Sequence, residues 1–258
     1  MQASELPSQK RETPLQSRDV SKQKGCGTML RIGVIADIHS NIQALDAVLS
    51  RLEDTDLIIS CGDTVGYGAN PNEVVERLMK CSILNIMGNH DVCSVLKFTT
   101  GLVSHAGIAA LWTGDQLEKQ HKRYLQQLSF IQWFQVEAVE ILMVHGSFKD
   151  PLTEYVYPYL PETYFSQLLT DAESDMVLLG HTHIPFQVTV DEGIVMNPGS
   201  VGQPRDGDPR ANYAVLTIDG DQIELSHERA SYDVETAANA ILDAGLPEIN
   251  ATRLFSGK

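Results

Sequence analysis

Ile32-Gly33-Val34-Ile35-Ala36 runs straight into Asp37-Ile38-His39. A short apolar run of β type ends on a carboxylate and an imidazole, and a helix-period stretch, Asn41 to Leu52, follows it. Ile42, Leu45, Val48, Leu49 and Leu52 fall at helical spacing, with Ser40 or Asn41 as a natural N-cap. The same unit recurs down the chain. Leu57 to Ser60 reads as a strand and Asn72 to Lys80 as a helix entered through Pro71. Ile83 to Met87 is the next strand, and a long, mostly helical region from about Val92 to Leu128 includes Trp112. Ile141 to Val144 and Met176 to Leu179 are strands on either side of a helix from Pro161 to Leu169. Strands alternating with helices in this way predict an α/β domain. After Leu179 the pattern changes. Phe186 to Val190, Ile194 to Asn197, Tyr213 to Ile218 and Gln222 to Glu228 are strand-like and joined by turns such as Asp191-Glu192-Gly193 and Asp219-Gly220-Asp221, which predicts an antiparallel sheet. A helix from Asp233 to Asp243 closes the pattern, and there is no internal repeat or domain linker.

The flanking composition sets limits on function. The chain has 258 residues, 43% of them hydrophobic, enough for a sizeable core, so disorder of the whole chain is excluded. Residues 1–28 are rich in Ser, Gln, Lys, Arg and Glu without helical or strand period, and are predicted to be a disordered extension ahead of a single domain over 29–258. Met29, just before the first strand, is a candidate alternative start, testable by the N-terminal mass of the native protein. The extension carries five basic and three acidic residues, so of the formal charge of -15 the remainder holds -17. So acidic a domain does not hold nucleic acid by neutralising many phosphates. No run of about 18 apolar residues occurs, which excludes a membrane-spanning helix, and the N-terminus lacks a secretory apolar stretch, so the expected location is cytoplasmic. Cys26, Cys61, Cys81 and Cys93 form no C-x-x-C or zinc-ribbon spacing and read as free, mostly buried thiols.

Metal-ligand residue types recur immediately after the apolar runs: Asp37 and His39 after the first, Gly62-Asp63 after the second, Gly88-Asn89-His90-Asp91 after the third, His145-Gly146 after the fourth, and Gly180-His181-Thr182-His183 after the fifth. In an open α/β sheet, sites form at the carboxyl ends of the strands, so five such loops can converge. In an extended segment residues i and i+2 share a side, which would let Asp37 and His39, and likewise His181 and His183, address one cluster. Asp37, His39, Asp63, Asn89, His145, His181 and His183 are seven donors, too many for one ion and suited to two that share a carboxylate, with Asp63 on its glycine turn as the shared one. Mixed oxygen and imidazole donors suit manganese first, with iron, zinc, nickel or magnesium as alternatives, better than an all-oxygen calcium cage. Two such ions would activate a bridging water and clamp a phosphoryl group for in-line hydrolysis. His90, beside Asn89 and pointing elsewhere if the chain is extended there, is the candidate acid for the leaving oxygen.

These motifs, D-x-H at 37–39, G-D at 62–63, G-N-H-D at 88–91, H-G at 145–146 and G-H-T-H at 180–183, resemble the calcineurin-like metallophosphoesterases over about Met29 to Glu228. DIHSNIQALDAVL, GDTVGYGANPNEV and NPGSVGQPRDGDPRA are similar to the small bacterial and archaeal phosphodiesterase-like branch. The resemblance implies a two-sheet sandwich flanked by helices, a four-layer αββα fold, and a dinuclear centre. It would place Asp37, His39, Asp63 and His183 on one ion, and Asp63, Asn89, His145 and His181 on the other. The chain departs from the G-D-x-x-D-R-G of the related protein serine/threonine phosphatases: it reads Gly62-Asp63-Thr64-Val65-Gly66-Tyr67-Gly68, and Tyr67 supplies no cationic fork.

Taken singly, Asp37 or Asp63 reads as a cap or turn residue and His145 as a core histidine; five loops in register favour a site. Asn41 is balanced between contacting a phosphoryl oxygen and capping its helix. Tyr67, with Asn70 and Asn72, is a pocket-shaping candidate or ordinary turn chemistry. The loop from Asn197 to Gly202 is implied to border the metals, which makes Arg205 a phosphate-contact candidate, balanced against an ion pair with Asp206 or Asp208. Asp91 either orients His90 or serves the fold. His105, His121 and His227 read as residues away from the site, and Trp112, Trp133 and Phe134 as packing rather than base-stacking residues. The expected function is a metal-dependent phosphoesterase acting on small phosphodiesters or nucleotides. The alternatives are a phosphomonoesterase or dinucleoside-polyphosphate hydrolase, or a non-catalytic scaffold of the same fold. The expected partner is a small phosphate ester, with no stable nucleic-acid or membrane binding and with homo-oligomerisation open.

Overall fold

A computed structural model describes residues 29–220 and 222–258; the expectations for 1–28, Cys26 included, lie outside it. Two five-stranded sheets face each other. The first has the order β10-β9-β1-β2-β3, from β1 (Leu30–Ile35), β2 (Leu57–Ser60), β3 (Leu84–Asn85), β9 (Ala211–Asp219) and β10 (Gln222–Ala230). The second has the order β4-β5-β6-β8-β7, from β4 (Ile131–Val136), β5 (Val139–Val144), β6 (Met176–Leu178), β7 (Phe186–Val190) and β8 (Gly193–Asn197).

The two-residue period of the strands builds the layers. Ile32 and Val34 of β1, Ile141 and Met143 of β5, and Met176 and Leu178 of β6 point between the sheets and form the central core with Leu216, Ile218 and Met196. The alternate residues point outward. Ile35 packs with Leu45 and Val48 of α1 (Ile42–Leu49) and with Val74 and Leu78 of α2 (Pro71–Lys80). Leu142, Val144 and Val177 pack on Phe165, Leu168 and Leu169 of α6 (Glu162–Ala172). The result is helix, sheet, sheet, helix. Phe165 is 1% exposed, and Phe165→Ala should cost about 3–5 kcal/mol, read as a lower midpoint in chemical denaturation.

The sequence pattern and the structure differ at several points. The four strands after Leu179 are not one antiparallel sheet: β7 and β8 form a hairpin on the second sheet, where β8 runs parallel to β6, and β9 and β10 form a hairpin on the first. Turn chemistry specifies each hairpin but not the sheet it joins. The strand expected at 83–87 is only β3, because the chain leaves the sheet early to reach α3 (Asn89–Leu96). The long helical region is three helices, α3, α4 (Ser104–Gln116) and α5 (Lys119–Gln126), and β4 and the short α8 (Glu248–Thr252), beyond α7 (Val234–Asp243), had no expectation. Cys61 and Cys93 are buried as expected, whereas Cys81 is exposed at the end of α2.

The placement of the parallel strands decides where chemistry can occur. β1, β2 and β3 are parallel neighbours in one sheet, and β5, β6 and β8 in the other. The loops leaving their carboxyl ends meet along one edge of the sandwich, and they carry the polar residues singled out from the sequence. Among the described residues, no helix is long and apolar enough to cross a membrane.

Candidate metal centre

The loop backbones at this edge are unusual. Asp37, His39, Asp63, Tyr67, His181 and His183 all have positive φ, between 50° and 70°, a region L-residues occupy rarely and one that marks functional sites. These loops are therefore not extended as the i, i+2 argument supposed, although Asp37 and His39 do share a cluster. His181 and His183 diverge, and they join different clusters. Hydrogen bonds between the loops hold the strained turns: Asp37 N–H donates to Gly62 O, His39 N–H to Asp63 O, Gly202 N–H to Asp37 O and Gly180 N–H to His145 O, each at 3.0 Å. Close approach needs glycine. A Cβ on Gly88 would lie 2.1 Å from Asp63 Oδ1, so any side chain there displaces the carboxylate.

Two triads of buried donors result, Asp37 with His39 and His183, and Asp63 with His145 and His181; within each, one donor atom per residue lies within 4.8 Å of the others. His39 Nε2 and His183 Nε2 are 3.0 Å apart, and Asp37 Oδ1 is 3.4 Å from His183 Nε2. Asp63 joins the groups. Its Oδ1 accepts from the His90 backbone N–H at 2.8 Å, while its Oδ2 lies 3.2 Å from His145 Nε2 and 3.7 Å from His39 Nε2, one residue from each triad. Asn89, at the first position of α3, brings Oδ1 to 3.1 Å from His145 Nε2.

The donor set fits divalent ions on three observations. Backbone carbonyls engage the Nδ1 atoms of three histidines: Val65 O at His39 (3.2 Å), Cys61 O at His145 (2.8 Å) and Gln203 O at His183 (2.5 Å). Such a bond fixes the tautomer that turns the Nε2 lone pair towards the cluster, the usual arrangement behind a histidine ligand. Second, Asp63 Oδ2 and His181 Nε2 are buried without a hydrogen-bond partner. Third, so many buried donors facing one another without a cation are electrostatically costly.

The protonation pattern shows the same cost. Burial, reinforced by neighbouring positive charge, holds His183 well below the ordinary range and His181 at about 3; His39 is likewise well below, through burial only partly offset by Asp63. Burial also lowers His145, but Asp63 and Asp37 outweigh it and raise that imidazole to about 9. Burial pushes both carboxyls up; at Asp63 the surrounding histidines, His145 first, win and hold it below the usual carboxylate range, whereas Asp37 stays raised to about 8. The pair keeps fewer than two negative charges until something cationic compensates it.

His90 stands beside this cluster on the first turn of α3, not on an extended segment as supposed. It is 5% exposed, with its ring 4.5 Å from Tyr67 and 4.8 Å from His39. Its Nδ1 has no partner, and burial lowers it to about 4, with Asp63 opposing. Asp91 does not orient it. Both Asp91 oxygens accept backbone N–H groups, from Gly88 (3.0 Å), Thr64 (3.2 Å) and Val65 (2.9 Å), and so tie the Asp63 loop to the start of α3.

The substrate candidates separate. Asn41 is the cap of α1: Oδ1 accepts from Ala44 N–H and Nδ2 donates to Gly202 O, both at 3.0 Å, so its amide serves the fold. Asn72 ties α2 to the start of α5, accepting from Glu118 N–H at 2.9 Å. Arg205 makes no ion pair with Asp206 or Asp208, which are occupied by Arg229 and Arg210. Instead its guanidinium donates to the Tyr67 hydroxyl at 3.1 Å and to Gln203 Oε1 at 3.2 Å. Tyr67 thus does not supply a cation but holds one supplied by another loop. His121 and His227 are engaged with Asn72 and the Asn197 carbonyl, away from the donors, but His105 is nearer than expected, its ring 6.1 Å from Tyr67. Sequence reasoning missed Tyr155, whose ring stacks on His181 at 4.0 Å. Its only signal was the alternation of tyrosine at 155, 157 and 159.

Comparison with known proteins assigns the class. Residues 30–221 match the calcineurin-like phosphoesterase superfamily domain, and the chain belongs to that family. A protein of Methanocaldococcus jannaschii, MJ0912, is 35% identical over 246 residues, spanning 88% of this chain and 98% of its own. The crystal structure of a metallophosphoesterase from Sphaerobacter thermophilus superimposes with a TM-score of 0.76 at 32% identity, over 90% of this chain and all of that one. The phosphodiesterase YfcE of Escherichia coli K12 is 24% identical over 203 residues, covering 74% of this chain and 89% of its own. The two-sheet, helix-flanked architecture expected from the sequence is the fold of the Sphaerobacter thermophilus protein.

Proposed function

We propose that this protein hydrolyses small phosphodiesters or nucleotides with two divalent ions, manganese first among them. The single observation that carries the proposal is Asp63 Oδ2, buried and placed between the two triads, 3.7 Å from His39 Nε2 and 3.2 Å from His145 Nε2. Asp37, His39, Asp63 and His183 would hold one ion, and Asp63, Asn89, His145 and His181 the other. Bound there, the ions would supply an activated water and neutralise charge on the phosphoryl oxygens.

The chain's own residues do the rest. Arg205, fixed by Tyr67 and free of any carboxylate among the described residues, binds a non-reacting phosphoryl oxygen. It provides the fork that Tyr67 cannot. His90 faces the leaving oxygen. Burial keeps it neutral in the free protein, and the negative charge of an arriving phosphate ester favours its protonated form, so substrate binding arms it as an acid. The diester reading is supported by the relationship to YfcE, and the intact Asn89 and His90 speak against a non-catalytic scaffold. Oligomeric state and cytoplasmic location remain part of the proposal.

The test is hydrolysis of bis(p-nitrophenyl) phosphate and of p-nitrophenyl phosphate by chelator-treated protein. Turnover is expected to be absent without metal, to return with Mn²⁺ and to favour the diester. A monoester preference would exchange the proposal for a phosphomonoesterase, and silence with every divalent ion would support the scaffold.

A further inference from the structure

Tyr155, Tyr157 and Tyr159 form a stair of rings that begins at the candidate metal centre. Tyr155 stacks on His181 at 4.0 Å, Tyr157 lies nearly parallel to Tyr155 (9°) at 6.0 Å, and Tyr159 nearly parallel to Tyr157 (9°) at 5.1 Å. Face-to-face rings in full overlap would have centroids about 3.5–4 Å apart, so the tyrosines are displaced from one another and each leaves part of its π-face uncovered. The outer rings are open to solvent: Tyr155 is 48% exposed and Tyr159 77%.

The stair is anchored. Val156, between the first two tyrosines, is buried in the core on the outer face of the second sheet, and Leu160 packs against the same cluster. Glu154 accepts hydrogen bonds from Tyr164 Oη at 2.9 Å and from Ser147 Oγ, which fixes the segment to the loop of His145. Gly146 N–H donates to Pro151 O at 2.7 Å and closes that loop. The segment leaves Val156 in the core and then turns, with Leu160 N–H donating to Tyr157 O at 3.2 Å, which leaves the three tyrosine rings on the outside.

We infer that this stair is a nucleobase platform: the phosphate ester taken by the metal centre carries an aromatic heterocycle, which stacks on a π-face that the stair of Tyr155, Tyr157 and Tyr159 leaves uncovered while its phosphorus lies at the His181 end. The inference rests on the phosphoesterase reading and specifies its substrate as a mononucleotide ester. Stacking suits any base, because every base has a π-face, and it contributes without hydrogen-bond readout. A long single strand offers the same rings, but the charge of -15 opposes a polyanion that would need many phosphates neutralised. The short ligand is therefore the better match.

The deciding experiment compares two diesters with the same leaving group on the Mn²⁺-loaded protein, thymidine 5′-(p-nitrophenyl) phosphate and methyl p-nitrophenyl phosphate. The thymidine ester is expected to have a KM at least about tenfold lower, within the range of one base on one aromatic group, and Tyr157→Leu and Tyr159→Leu should each shrink that ratio severalfold with little change in kcat. Equal KM values for the two esters, or a ratio that survives in the double variant, would overturn the platform. If neither ester turns over, the phosphodiesterase reading has failed, and the platform is read separately by saturation-transfer NMR with thymidine monophosphate and ribose 5-phosphate. Saturation concentrated on the base protons and lost in Tyr159→Leu supports it; equal response of base and sugar refutes it. Circular dichroism checks that the variants are folded. An oligothymidylate that binds more than tenfold tighter than the monophosphate at physiological salt would move the assignment to single strands.

Discussion

Asp63→Asn should take up neither divalent ion with wild-type affinity and should lose at least about 10³-fold in turnover, since each 1.36 kcal/mol of lost transition-state stabilisation is a factor of ten and metal polarisation of a phosphoryl group is worth several kcal/mol. The position explains the size of the effect. Asp63 Oδ2 lies 3.7 Å from His39 Nε2 and 3.2 Å from His145 Nε2, nearer to each than Asp37 Oδ1 at 3.8 and 4.0 Å. An amide in its place removes the negative charge and turns either an oxygen or an N–H₂ towards the histidines. The fold should tolerate the change. Asp63 Oδ1 accepts the His90 N–H, and the Asn carbonyl can accept the same bond, so the start of α3 stays in place. Metal content after dialysis, measured by plasma emission, is expected to fall from near two ions per chain to well under one, with an unchanged far-ultraviolet spectrum. Two tightly retained ions with normal turnover would remove Asp63 from its shared role.

How much of this was legible in the sequence depends on the kind of information each feature needs. The alternation in β1, β5 and β6 follows from period two, and the apolar stripes of α1 and α2 from helical period, so the layers were readable locally. The donors were readable because Asp37, Asp63, Asn89, His145 and His181 each follow a strand, and strand ends converge. What was not readable depends on contacts distant in sequence. The hairpins β7–β8 and β9–β10 carry the same turn chemistry, and only burial against β6 or β1 sends one to each sheet. The spacing of His181 and His183 let them share one cluster, whereas the resemblance divided them between two ions; left-handed turns send them to different clusters, and such turns are stabilised by hydrogen bonds from other loops rather than by local preference. Arg205 was ambiguous because its alternatives, Asp206 and Asp208, are close in sequence, whereas Arg229, which takes Asp206, arrives from β10, and Asp208 pairs with Arg210. Tyr155 carried no polar motif and went unnoticed.

The acidic balance of the chain has a local exception with a direct bearing on the chemistry. A charge of -15 repels phosphate esters at long range, yet the imidazoles and the Arg205 guanidinium surround the donors on the inner side of the centre. Screening at physiological salt limits the repulsion to about 8 Å, so the short-range field decides binding. The cation there without a carboxylate partner among the described residues is Arg205, and beside it the neutral imidazole of His90 acquires a proton only when the substrate brings its own negative charge.

His90→Ala should therefore retain both ions and slow hydrolysis by about 10²- to 10⁴-fold, the usual contribution of a positioned acid. Retention follows from geometry. His90 belongs to neither donor triad, and its link to Asp63 runs through the backbone N–H, which alanine preserves. Loss of rate follows from its place against Tyr67 and His39 with an unpartnered Nδ1. The deficit should depend on the leaving group. For p-nitrophenolate, which departs without help from a proton, the variant should lose little rate, and the full deficit should appear with an alkoxide or ribose leaving group. A merely structural histidine would slow both esters equally. The pH profile adds a second readout: the limb belonging to the acid should vanish in His90→Ala and persist in Asp91→Asn, because Asp91 holds the Asp63 loop through backbone N–H groups and does not touch the imidazole. Loss of metal from His90→Ala, or the same deficit for good and poor leaving groups, would show that His90 supports the centre rather than protonating the product.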